Sequence, residues 1–212
     1  MIDRIDVLAH SSIRIKCDSG SIYIDPFHVK EEPHDSSFIL VTHDHYDHFS
    51  PEDIRKVCRK DTILVVPKNM EKKAREAADY VGSIVTVDPG NTYQIEGLDL
   101  ETLPAYNTLK PFHPKGAGWV GYIVILEGKR IYIAGDTDIT KENKEVKCDI
   151  ALVPVGGTYT MDAGKAAKLV NLIRPRIAVP THYGDIVGSK EDAEIFAKKV
   201  DPGIQVINKM LD

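Results

Sequence analysis

Cysteine is scarce in this 212-residue chain. Cys17, Cys58 and Cys148 stand far apart, are odd in number and show no C-x-x-C spacing. That excludes a disulfide framework or a thiolate zinc finger and leaves three small buried or half-buried side chains. No apolar run is long enough to cross a bilayer. The opening MIDRIDVLAH lacks the apolar core of a secretory leader, so the expected location is the cytoplasm. Positive charge is not in excess: the formal net charge is -5, which gives no general attraction to phosphate backbones and disfavours nucleic acid as a partner. Low-complexity tracts, evident linkers and short-period repeats are missing as well.

What remains is the profile of a globular protein. Hydrophobic residues make up 42%, enough for a sizeable core. The length fits one domain over residues 1–212, or two tightly fused halves. The chain opens with short alternating pieces, IDVLAH, IRIKC and SIYIDPF, separated by turn residues, as in a meander. SFILVTH reads as a buried strand. In SPEDIRKVCRK, Ser50 caps a helix, Pro51 suits its first turn and Asp53 completes a capping box. TILVV and SIVTV read as strands around a helix, NMEKKAREAADYV. LDLETL, GYIVILEG, KRIYIAGDT, DIALVPV and RIAVPTH are further strands. DAGKAAKLVNLI is a helix, and SKEDAEIFAKKV is another, with Ser189 and Asp192 as its capping box. Strand-rich stretches followed by strand–helix alternation, twice over, predict two sheets packed face to face with helices outside.

The chemistry is concentrated in THDHYDH, residues 42–48, with three histidines and two aspartates in seven positions. The apolar run before it supplies a rigid strand. His43, His45 and Asp47 then recur at every second position and His48 follows, so a tight turn brings several donors together. Neutral imidazoles and carboxylates are the usual ligands of zinc and similar divalent ions. Asp136 in IAGDTD and His182 in VPTHYG also follow apolar strands, and His113 lies in PFHPKG.

Taken in order, THDHYDH, AGDT and THYG resemble the metallo-β-lactamase superfamily of metal-dependent hydrolases, over nearly the whole chain. LAHSSIRI, YIDPF and GWVGYIVILEGKRIYIAGDT resemble its lactonase-like branch, which includes L-ascorbate-6-phosphate lactonase and N-acyl-phosphatidylethanolamine phospholipase D. The resemblance implies an α+β protein, a four-layer αββα sandwich with the metals at one edge. It implies two divalent ions, zinc first, with manganese, iron or nickel compatible with all-N/O ligation. His43 and His45 would hold one, Asp47, His48 and His182 the other, and Asp136 would bridge. Asp25 resembles a carboxylate that orients a metal-bound histidine, and His10 a pocket residue. One departure stands out: where this branch often carries Ala-x-His, the chain reads LPAYNTLKPFHPKG. Either His113 folds back as the third ligand of the first ion, or Asn107 offers its carbonyl oxygen, or the first site is weak; the better donor strength of imidazole favours His113.

The implied activity is hydrolysis of an ester, lactone, amide or phosphodiester of a small molecule by a metal-bound hydroxide, with Asp47 and Asp136 in catalytic roles. The alternatives are a phosphodiesterase or nuclease of the same superfamily and a non-catalytic metal-binding regulator. Tyr106, Asn107, Lys115, Trp119, Thr158, Tyr159 and Tyr183 line the ligand-bearing loops and are pocket candidates; for Lys115 a solvated role and for Trp119 simple packing compete with this. PVGGTYTM reads as a loop entering a helix. A homo-oligomer is compatible with the sequence.

Overall fold

The computed structural model describes residues 1–211 and resolves the chain into two compact units: Met1–Asp88 with the chain end from Met210, and Pro89–Lys209. The fold is α+β, with two mixed sheets.

The first unit holds six strands that lie side by side in sequence order. β1 (Ile5–Ala9), β2 (Ser12–Cys17) and β3 (Gly20–Ile24) form the expected antiparallel meander. Ile5, Val7, Ile13 and Ile15 alternate into the core, as a half-covered sheet demands. β4 (Ser36–Leu40), β5 (Cys58–Pro67) and β6 (Ser83–Val87) then run parallel to β3. The outer side of β1 is met by the chain end, where the Leu211 N–H donates to the Val7 carbonyl at 2.8 Å.

Helix α1 (Pro51–Val57) starts as the sequence predicts, with Ser50 Oγ accepting from the Asp53 N–H at 3.2 Å. The Asp53 carboxylate accepts from the backbone N–H groups of His28 and Val29, both at 3.1 Å, and so holds the 25–35 loop. The helix stops earlier than its sequence suggests. Cys58 turns extended and opens β5, because it pairs with Ser36 and because Thr62 Oγ1 bonds the Ser36 carbonyl and the Arg59 N–H. NMEKKAREAADYV is also not one continuous helix. A single α-turn, α2 (Glu71–Ala74), is flanked by 3-10 turns at Lys68–Met70 and Arg75–Ala77. Met70, Ala74 and Ala77 still bury at helical spacing beside Leu64, Val66 and Ile54, so tertiary packing overrides strong helix propensity here.

The second unit repeats the plan. β7 (Thr92–Ile95), β8 (Leu98–Pro104), β9 (Val120–Leu126) and β10 (Lys129–Ile133) are antiparallel. β11 (Ile150–Pro154), β12 (Ile177–Thr181) and β13 (Gln205–Val206) continue parallel to β10. α3 (Ala163–Ile173) and α4 (Lys190–Lys199) are the crossovers. Asp162 caps α3 by accepting from the Lys165 N–H at 2.8 Å, and Asp192 accepts from the Ser189 N–H at 2.8 Å at the start of α4. β7 and β13 carry too short an apolar pattern to be read from sequence. Polar loops at the carboxyl ends of parallel strands are where α/β sheets place ligands. Asp25 follows β3, THDHYDH follows β4, Asp136 follows β10 and His182 follows β12.

Candidate functional site

In the first unit the donors converge around Asp25, which is 1% exposed. One of its oxygens accepts from the Thr42 N–H at 2.7 Å; the other accepts from Thr42 Oγ1 at 2.6 Å and lies 2.7 Å from His48 Nδ1. Burial pushes the Asp25 carboxyl up, while His48 and Thr42 act against that shift. Because Nδ1 of His48 is tied to Asp25, its Nε2 is turned the other way, 3.4 Å from Asp47 Oδ2. His10 Nε2 approaches that same Asp47 oxygen at 3.5 Å. His43 has Nδ1 3.0 Å from Thr42 Oγ1, and its Nε2 is 3.1 Å from His45 Nδ1. The rings of His43 and His48 lie 3.9 Å apart. Three imidazoles and a carboxylate packed this closely, with His43 and His48 buried, form a donor set suited to a divalent cation: all ligand atoms are nitrogen or oxygen.

In the second unit one oxygen of Asp136 is 3.2 Å from both His113 Nε2 and His182 Nε2. All three residues are buried. A single carboxylate oxygen placed between two imidazoles again fits cation binding. His113, six residues beyond Asn107, thus stands beside Asp136. Asn107 makes this possible: its N–H donates to the His113 carbonyl at 2.8 Å, and its Nδ2 donates to the carbonyls of Phe112 (3.0 Å) and Tyr159 (2.7 Å). Both amide protons are thereby committed, so its 3.4 Å approach to His113 Nδ1 is a contact rather than a third donation. The Asn107 Oδ1 atom is buried and accepts no hydrogen bond. Trp119, half-buried, sets its ring edge-on to His113 at 5.3 Å.

Backbone strain marks the same places. Among the described residues, ten non-glycine residues adopt positive φ, including His10 (47°), Asp25 (47°), His113 (56°), Thr158 (38°) and His182 (56°). Left-handed backbone in residues with a β-carbon persists only where surrounding contacts enforce it, and it gathers at functional sites.

The other pocket candidates divide. Tyr159 is exposed and joins the Asn107 loop, with Thr158 beside it. Lys115 pairs with Glu142 at 2.6 Å and lies 4.8 Å over the Tyr106 ring, while the Tyr106 hydroxyl donates to Glu142 at 2.8 Å. These three form a closed group directed at one another. Tyr183 is buried, and its hydroxyl donates to Asn208 at 2.8 Å. Cys148 and Cys58 fit the packing role expected of them: burial pushes the Cys148 thiol up to about 12 and raises that of Cys58.

Three contributors escaped sequence reasoning. Thr42 was inside the motif, but a threonine before histidine carries no signal of its own. Phe112 carries no donor atom and so gives no ligand signal beside Asn107 and His113. Gly156 reads as a turn residue, yet it is required because the His182 carbonyl and the side chain of Val187 occupy the space of a β-carbon.

A family model described as a β-lactamase superfamily domain matches residues 4–182. A UPF0173 metal-dependent hydrolase of Thermus thermophilus is 34% identical over 91% of this chain and 88% of its own. One from Methanopyrus kandleri is 30% identical over 93% and 91%. Among solved structures, a candidate metal-dependent hydrolase from Parabacteroides distasonis shares 33% identity and superimposes with a TM-score of 0.85 over 98% of this chain and 93% of that one. The metallo hydrolase Igni18 from Ignicoccus hospitalis, at 23% identity, shares the fold with a TM-score of 0.74 over 96% and 93%.

Proposed function

The chain belongs to the metallo-β-lactamase superfamily, among the UPF0173 metal-dependent hydrolases, and from that premise we propose that it hydrolyses an ester, lactone, amide or phosphodiester of a small molecule at a centre of two divalent ions, zinc first. His43, His45, Asp47, His48, His113, Asp136 and His182 would hold the ions, and residues 1–212 would act as one functional domain. The observation that carries this reading is the Asp136 oxygen set 3.2 Å from two buried imidazoles, a placement suited to a bridging carboxylate.

Bound divalent ions would lower the pKa of a bound water towards roughly 7 and would polarise the scissile bond. The side chains do the rest. Asp25 fixes the ring of His48 through Nδ1, so that Nε2 is the coordinating nitrogen. Asp47 and Asp136 supply negative charge to balance the cations, and either can take the proton that the attacking water releases and pass it to the leaving group. His10, 3.5 Å from Asp47, steadies that carboxylate.

The test is elemental analysis of the purified protein before and after zinc or manganese loading, with a screen of lactones and phosphodiesters. Close to two equivalents, with turnover that chelation abolishes and metal restores, is expected. One equivalent would remove the dinuclear centre, and metal uptake without turnover on any such bond would favour a regulator.

A further inference from the structure

Among the described residues, eight large hydrophobic side chains are exposed. Single ones are ordinary, but a cluster requires a reason. Leu109, 93% exposed, and Phe112, 44% exposed, lie on one loop, and Tyr159, 37% exposed, packs its ring edge-to-face on Phe112 at 4.9 Å.

This patch is a built feature. The amide of Asn107 clasps the backbone carbonyls of both ring residues. Lys110 ties the middle of the loop to the Thr160 carbonyl. The residues next to the two rings, His113 and Thr158, both hold positive φ, a conformation a β-branched threonine adopts only under constraint. The loop's cation is already engaged: Lys110 sits 3.8 Å from the buried Asp138, which Lys165 also approaches at 3.3 Å. Leu109 and Phe112 thus offer apolar surface outward, and Phe112 precedes His113, whose Nε2 lies 3.2 Å from Asp136.

Resting on the hydrolytic reading above, we propose that Phe112 and Tyr159, with Leu109 beside them on the loop, form the subsite that receives an apolar aryl or alkyl substituent of the substrate, and that Asn107 is the positioning residue that keeps this subsite in register with His113. Three side chains suit a small organic group. A standard protein interface engages about 20–30 residues a side, far more than this patch provides.

The test uses zinc-loaded protein and three probes with one metal-binding head and different tails: acetohydroxamate, benzohydroxamate and octanohydroxamate, titrated by calorimetry. At least one long-tailed probe should bind about tenfold or more tighter than acetohydroxamate, the gain expected from desolvating part of a ring or chain. Phe112→Ala and Tyr159→Ala should each cut that ratio about fivefold. Asn107→Asp, which keeps the size but cannot donate to the two carbonyls, should cut it as well. Leu172→Ala, at a 51% exposed leucine on α3, should leave it unchanged. Equal affinity for the three probes, or an unaltered ratio in a folded Phe112→Ala protein, overturns the subsite while leaving the metal reading standing. Failure to load zinc and to bind any probe overturns both. Self-association that is lost in Phe112→Ala would assign the patch to a second copy of the chain and overturn the proposal.

Discussion

Nδ1 of His48 lies 2.7 Å from Oδ2 of Asp25, and the same carboxylate takes both polar groups of Thr42. One buried acid thus fixes the ring plane and tautomer of an imidazole 23 residues away in sequence. Contacts of this kind govern how well a histidine serves a metal.

Replacing Asp25 by alanine frees that ring and leaves the Thr42 N–H unsatisfied inside the protein. Metal affinity should fall about 10–100-fold, and stability by about 1–3 kcal/mol. Competition titration against a chromogenic chelator reads the first and urea unfolding the second. Unchanged affinity would show that Asp25 is purely structural.

Gly156→Ala should place its methyl group against the His182 carbonyl. The expected result is a loss of about 1–3 kcal/mol from overpacking, with reduced metal occupancy. Gly128→Ala is the control. Its φ is +71° with nothing within 4 Å, so it should cost about 1 kcal/mol of backbone strain and leave metal content intact. Equal metal content in both variants would argue against a role for His182 in metal binding.

Asp136→Ala should lose metal and activity together, since Asp136 is proposed as the bridge. His113→Ala should lose one equivalent only. Elemental analysis of both proteins decides: full occupancy in the first removes the bridging role, and unchanged stoichiometry in the second moves the third-ligand role to Asn107, whose buried Oδ1 accepts no hydrogen bond.

Glu142 gives a pH signature away from the proposed ligands. Burial raises its carboxyl, but the hydrogen bonds from Lys115 and Tyr106 outweigh that and hold it at about 2, below its ordinary 4.5. A depressed acid contributes stability above its unfolded value and loses it as pH falls through its folded one. The stability difference between the wild type and Glu142→Gln should therefore be full at neutral pH and shrink as pH drops from 4.5 towards about 2. Urea midpoints across that range measure it; a difference that does not vary with pH would exclude the ion pair as its source.

Much of the fold was legible in the sequence. The meander showed as period-two alternation in IDVLAH, IRIKC and SIYIDPF. The parallel strands showed as solid apolar runs, and the starts of α1 and α4 showed as capping residues, because each of these depends on neighbours within a few positions. The α2 region misled for the opposite reason: its residues favour helix, but packing of Met70, Ala74 and Ala77 decided the backbone.

The donor residues themselves were also set by the sequence. His43, His45, Asp47 and His48 lie within six positions, and Asp136 and His182 each follow an apolar run, so strand ends had to carry them to the edge of a sheet. Tertiary structure alone decided the remainder. It chose His113 to stand beside Asp136, through an Asn107 amide that reaches Phe112 and Tyr159, the latter 52 residues on. It made Gly156 obligatory by bringing the His182 carbonyl over it, and it turned Lys115 and Tyr106 towards Glu142. Side-chain chemistry and short-range spacing are written in the chain. Which long-range partner completes a hydrogen bond is settled only when loops distant in sequence close on one another.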